Sequence, residues 1–171
     1  YNISYIKRYL PNIDMALIKG VKRIQGLIVQ KGNPKNINKF EDISREDISF
    51  VNRQRGAGTR ILLDYELRKR NVDICDIIGY DREMMTHMAV AAAVASGSAD
   101  VGIGILSAAK AMELDFIPIG KEEYDFAIPV KHLDTDMIRV FIQTIRSDVF
   151  RSELQAMGGY GLEDIGEIIY I

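Results

Sequence analysis

A chain of 171 residues, 47% of them hydrophobic, is long enough to bury about 70% of its unfolded surface. A formal net charge of −2 and a pI near 5.7 exclude an extended basic face for nucleic acid or anionic membrane, so any anion site must be local. No apolar run approaches the ~20 residues that span a bilayer, the longest clean one being Met88 to Ala95, and the single Cys75 excludes an internal disulfide and reads as a buried small hydrophobe.

The chain opens at Tyr1 rather than at a methionine, which suggests a fragment of a longer protein and leaves a targeting segment undecided. Tyr1 to Leu10 reads as a short helix stopped by Pro11. Two strands are predicted next, Met15 to Ile18 and Gly26 to Val29, with Lys31-Gly32-Asn33-Pro34 as the turn after the second. Asn38 to Glu46 carries a short helix and Ile48 to Val51 a short strand. Ile61, Leu62, Tyr65 and Leu67 recur at near-helical spacing, which predicts a helix ending near Arg70-Asn71. Ile74 to Ile78 is a strand or extended segment. Asp81 to Gly97 is the clearest helix, packed by Met84, Met88, Val90, Ala91, Ala92 and Val94, with Gly97 as its C-terminal cap. Its alanines imply close packing on a sheet whose next strand is Ala99 to Gly104. A helix over Leu106 to Met112, strands over Phe116 to Ile119 and Tyr124 to Val130, and helices over Asp134 to Ile145 and Val149 to Met157 follow, closed by Gly158-Gly159-Tyr160-Gly161. This alternation predicts an α/β fold with a largely parallel sheet and ligand sites at strand ends.

Asn52-Arg53-Gln54-Arg55-Gly56-Ala57-Gly58-Thr59-Arg60 joins a strand-like run to an amphipathic helix through two glycines and three arginines. A helix start leaves backbone N–H groups unpaired and carries about half a positive charge, which suits an oxyanion. Glycine lets the backbone close on a ligand, Thr59 offers a hydroxyl, and Arg53, Arg55 or Arg60 a charge-assisted bond. The phosphate loop of nucleotide hydrolases needs Lys then Ser or Thr after its second glycine, where Thr59-Arg60 stands, and the dinucleotide fingerprint needs a third glycine where Ile61 stands. Both readings fail. An ordinary Gly-rich βα turn with solvated arginines is the competing one. Thr86 offers donors to the same ligand or caps its helix; His87 is a ligand, a pH sensor or a hydrogen-bonded structural residue. Neither His87 nor His132 has metal-ligand spacing to a partner, and nothing sets a nucleophile beside a base, so neither a metal centre nor an enzyme is expected. Asp64 and Glu66 favour the helix N-terminal half.

Further residues fall into a pattern: Gly26-Leu27-Ile28-Val29 with Gly32-Asn33-Pro34, the run Phe50 to Asp64, Gly79-Tyr80, Thr86-His87, Ala89 to Gly97, Ala99 to Gly104, Leu114 to Pro118 and Glu123-Tyr124-Asp125. Together they resemble the type II periplasmic-binding-protein-like domains attached to molybdopterin-biosynthesis proteins and helix-turn-helix regulators. The resemblance implies two α/β lobes of mixed, mostly parallel sheet joined by crossing strands, with ligand closed between them. Residues 38–121 would form the second lobe. Residues 1–37 and 122–171 would supply crossover strands and part of a first lobe that is incomplete here. In phosphate-binding relatives an Arg and a Ser-Gly-Thr run hold the anion, and Arg53, Ala57, Gly58 and Thr59 take those places. An acid that accepts the proton of hydrogen phosphate is replaced by Arg55, which favours a fully deprotonated dianion such as molybdate, tungstate or sulfate.

The resemblance therefore implies a ligand-sensing domain for a small oxyanion, molybdate or tungstate first, held by Asn52, Arg53, Gly56, Ala57, Gly58, Thr59, Arg60 and Thr86, with Tyr124 covering it from the hinge side or packing the hinge. Glu122, Glu123 and Asp125 are expected to face solvent or pair with a cradle arginine. An effector domain for an organic ligand, such as a pterin precursor or a carboxylate, is the alternative, and an enzyme on a phosphorylated substrate a lesser one. No cofactor is expected beyond the bound oxyanion. The expected partner is a fused or interacting molybdopterin-biosynthesis or helix-turn-helix module, without direct nucleic-acid contact or membrane span; dimerisation is left open, and the cytoplasm is the expected compartment, with an extracytoplasmic location open.

Overall fold

The computed structural model describes residues 2–171 and divides the chain into two compact units, Ile24–Lys121 and the combination of Tyr1–Arg23 with Glu122–Ile171. Two long strands, β1 (Met15–Val29) and β5 (Asp115–Pro129), run through both. Each was expected as two shorter strands. The sequence breaks at Lys19-Gly20 and Gly120-Lys121 look like turns, but the backbone stays extended because the charges that interrupt the apolar runs are paired. Lys19 Nζ lies 2.9 Å from Glu123 and 3.2 Å from Asp125, and Arg23 pairs with Glu122. Gly20 is a site of close approach: a Cβ there would stand 1.9 Å from the Tyr124 carbonyl oxygen.

In the unit Ile24–Lys121 the sheet order is β3-β2-β4-β1-β5, with β2 (Phe50–Arg53) parallel to β3 (Glu83–Met84) and to β4 (Val101–Ile105), and β1 antiparallel to β4. The sheet is mixed and flanked by helices on both faces. Alternation along the strands sorts the core. Leu27, Phe50, Val101 and Ile103 pack on one face with Leu63 and Leu67 of α2 (Gly58–Arg70); Ile28 and Val51 pack on the other with Val90, Ala91, Ala93 and Val94 of α3 (His87–Ala95) and Ala108 and Ala109 of α4 (Leu106–Ala111).

Several local expectations change. On α2 the packed face is Thr59, Arg60, Leu63, Glu66 and Leu67, and the apolar pair Ile61 and Tyr65 is about half exposed instead. Asn71, left-handed at φ 54°, ends the helix. Phe40–Ser44 and Ile74–Asp76 are 3-10 turns, the second where a strand was one option. Its N-cap Asp73 accepts from the Cys75 amide, and Cys75 is exposed rather than buried; the Asp73 bond holds the thiol above its ordinary pKa. The helix expected from Asp81 begins only at His87, because residues 83–84 pair as β3 alongside β2 and Thr86 takes the cap. Met88 and Ala92 are consequently exposed.

In the other unit, α1 (Asn2–Tyr9), α5 (Asp136–Arg146) and α6 (Asp148–Met157) accompany the outer halves of β1 and β5. Two short strands, β6 (Tyr160–Gly161) and β7 (Ile168–Tyr170), add antiparallel to β1. They were missed because pieces of two and three residues carry no readable period. Ala16, Ile18, Leu133, Ile145, Leu162 and Ile165 form this unit's core.

Candidate functional site

Of the residues proposed from sequence, all but Tyr124 come together at one edge of the unit Ile24–Lys121. β2 ends at Arg53, and the turn Gln54-Arg55-Gly56-Ala57 hands the chain to α2 at Gly58. Gly56 makes the turn at φ +86°, and a Cβ added there would point into open space. Ala57 is the N-cap, extended at φ −70° and ψ 136°, and its carbonyl accepts from Ile61 N at 3.1 Å. Alanine is among the poorest caps because it brings no side-chain acceptor, so the first-turn amides of Gly58, Thr59 and Arg60 meet no capping side chain from position 57.

A second helix starts at the same edge. β3 runs parallel to β2 with Arg53 opposite Met84, and α3 begins three residues later. Thr86 caps it, its Oγ1 accepting from Ala89 N at 3.0 Å. Arg53, 8% exposed, spans the two starts: Nε donates to Gln54 Oε1 at 3.1 Å and to the Met84 carbonyl at 3.3 Å, and Nη2 to the Met85 carbonyl at 3.1 Å. Asn52 is fully buried. Its Oδ1 accepts from Arg53 N at 2.9 Å and its Nδ2 donates to the Tyr80 carbonyl at 3.0 Å, which fixes the strand end.

Thr59 and Arg60 are buried as well. Arg60 turns inward: Nη1 donates to the Arg53 carbonyl at 3.2 Å and to Glu83 Oε1 at 3.3 Å, Nε stands 3.5 Å from Asp64, and the guanidinium lies 4.1 Å from the centre of the Tyr80 ring. Tyr80 donates its hydroxyl to Asp64 at 2.7 Å, and burial followed by that carboxylate pushes the phenol pKa up. Such a guanidinium braces the loop from below. Arg55 turns outward, largely exposed, with Asp81 at 3.6 Å and Glu83 at 3.5 Å. Glu83 Oε2 also accepts from the Arg55 amide at 3.4 Å.

The sequence reading missed Glu83, Tyr80 and Met85. Assigning Asp81 onward to a helix hid the strand register, Asn52 opposite Glu83, that delivers the carboxylate to the loop. Tyr124 belongs to the other unit: it lies half exposed on β5, edge-on to Phe126 at 5.6 Å, with the Arg23 guanidinium 4.9 Å from its ring centre. Glu122, Glu123 and Asp125 pair with Arg23 and Lys19 of β1, not with a cradle arginine. Among the described residues no group of His, Cys, Asp and Glu is placed to hold a metal ion, and no helix is long and apolar enough to cross a membrane.

Parallel strands that bring two helix starts and a buried arginine to one sheet edge define an α/β ligand-binding domain. Residues 1–146 match the model of a PBP superfamily domain, and the chain belongs to that superfamily. It is 38% identical over 169 residues to the uncharacterized protein YvgK of Bacillus subtilis (strain 168), an alignment covering 99% of this chain and 54% of YvgK, so the chain spans about half the length of that relative. Among solved structures it is similar to L-phospholactate-bound PEB3, from Campylobacter jejuni, and to the regulatory domain of Synechocystis PCC6803 CcmR in complex with 2-PG. Both superpose with a TM-score of 0.59 at 15% identity over 84% of this chain, covering 67% and 76% of those chains respectively. At that identity the likeness speaks for the fold.

Proposed function

We propose that this domain senses a small oxyanionic ligand, bound at the turn between β2 and α2. The observation that carries the reading is Arg53, buried and reaching from the end of β2 to the carbonyls that lead into α3, beside a helix start with an alanine cap. The Gly56, Gly58, Thr59 and Arg60 amides offer the donors, the Ala57 amide being spent on the Gln54 carbonyl, with the α3 start and Thr86 beside them; Asn52 and the Arg60 side chain hold the frame rather than the ion. Occupancy is passed to a fused or interacting module by a shift in population between two arrangements of the protein. Molybdate and tungstate are the first ions to try, on the strength of the sequence resemblance.

A second reading is supported by a specific observation. Met85 and Met88, flanking Thr86, are 70% and 46% exposed, an apolar rim beside the donors that a bare ion does not use. An organic ligand whose phosphate or carboxylate sits in the turn would use both, in keeping with the phospholactate and 2-PG named for the two similar structures.

Isothermal titration of the chain with molybdate, tungstate, sulfate, phosphate and 2-phosphoglycolate at fixed pH and ionic strength tests both. Micromolar binding of a bare ion supports the first reading, and binding of the organic phosphate alone the second. Arg53→Ala is expected to weaken whichever ligand binds by about 30-fold, the scale of one or two charge-assisted hydrogen bonds. An unchanged affinity would remove Arg53 and this turn from the site.

A further inference from the structure

Resting on the turn as the ligand site, we infer that Glu83 tunes it by charge, penalising a doubly charged oxyanion about twice as much as a singly charged one of the same shape. The charges around the turn are the reason. Arg53, Arg55 and Arg60 stand there, and three carboxylates stand against them: Asp64 beside Arg60 at 3.5 Å, Asp81 beside Arg55 at 3.6 Å, and Glu83 beside both, at 3.3 Å from Arg60 and 3.5 Å from Arg55. The formal charges of these six side chains cancel. Attraction for a ligand therefore comes from amides and helix starts, which are dipoles, and not from a net positive field.

Of the three acids, Glu83 alone touches a backbone donor of the turn, its Oε2 accepting from the Arg55 amide. The pairing of β3 with β2 sets its backbone opposite Asn52, and its ion pairs with Arg55 and Arg60 aim the carboxylate at the loop. A ligand anion at the turn thus meets a carboxylate beside its donors. Coulomb repulsion from that carboxylate grows in proportion to the ligand's charge, twice as large for a dianion as for a monoanion at one position. The Arg55 side chain points outward and an acid stands beside the loop amide, which works against the advantage that Arg55 was expected to give a bare dianion.

Glu83→Gln tests the inference, since the amide keeps the shape and one acceptor while removing the charge. The probes are sulfate and perchlorate, tetrahedral oxyanions with two charges and one, titrated into the chain and the variant at fixed ionic strength. The variant is expected to bind sulfate about tenfold tighter and perchlorate about threefold tighter, the logarithmic gain doubling with charge. Equal gains, no gain, or a parallel loss for both ions, as a purely structural role predicts, would overturn the role of Glu83 and leave the site standing. Arg53→Ala added to the variant should weaken both ions by about 30-fold, as it does in the parent, which shows that they bind at this turn. Absence of binding by either ion to either protein would overturn the bare-ion reading of the turn and the inference with it.

Discussion

Gly102 of β4 sets how closely α3 lies on the sheet, and Gly102→Ala should force them apart. A Cβ at this position would stand 2.4 Å from Val90 Cγ1 on α3 and 2.8 Å from Val51 Cγ1 on β2, where carbon atoms ordinarily rest at about 3.5–4.0 Å. Val51 and Val90 are both 0% exposed, so neither side chain can swing into solvent. The helix must move by about 1 Å or the valines must leave their rotamers, a strain of about 1–3 kcal/mol. For a chain of this length 1 kcal/mol lowers Tm by about 2–4 °C, so a central value of 2 kcal/mol lowers it by about 4–8 °C. Circular-dichroism melting and urea denaturation read the loss. Val90→Ala supplies the control: alone it leaves a cavity, but in the double variant the new methyl occupies part of that space, and the combined loss should fall short of the sum by about 1 kcal/mol. A melting point within about 1 °C of the parent, or strict additivity, would refute the claim that this glycine sets the helix-to-sheet spacing.

Thr86→Ala should destabilise the unit by about 1 kcal/mol, the usual worth of a side-chain N-cap, visible as a lower urea midpoint; if the midpoint holds, the bond to Ala89 is not stabilising α3. Asp100 gives a pH signature. Burial works to raise its pKa, but its bonds from Ser49 N at 2.8 Å and Ser49 Oγ at 2.6 Å outweigh that and hold it below the ordinary carboxylate value. A folded pKa below the unfolded value of about 3.9 means stability present in full above that pH and lost as pH falls through the folded pKa. Asp100→Asn should therefore cost about 1–2 kcal/mol between pH 6 and 8, with the gap to the parent closing below about pH 4. A gap independent of pH would show that the ionised form is not what Ser49 stabilises.

The turn at the centre of the site was legible because its signals are local. Gly56 has the positive φ that glycine permits, α2 begins at Gly58, and Asn71 closes it in the left-handed region. The buried face of α2 was not, because Ile61 and Tyr65 are apolar by composition yet point outward while Arg60 and Glu66 are drawn in by ion pairs with Glu83 and Arg70. Pairing decided the other differences. β1 and β5 stay continuous across charged residues because Lys19 and Arg23 face acids more than ninety residues away in the chain, and β3 exists because β2 lies beside it. No window of sequence holds both partners. The same gap hid Glu83, a residue whose importance lies in what the neighbouring strand brings to it.

The division of the chain also sets an order of assembly during synthesis. Ile24–Lys121 is one uninterrupted segment, complete as soon as it has left the ribosome, whereas the other unit is made of the two ends. Ala16 and Ile18 emerge early, but Ile145, Leu162 and Ile165, which bury them, are translated about 130–150 residues later, a delay of about 7–30 s at ordinary elongation rates. Through that interval the first half of β1 lacks Ile145, Leu162 and Ile165, while the last residues of Ile24–Lys121 are made before any of them. Those late partners make the first half of β1 the stretch of the chain whose burial waits longest on translation.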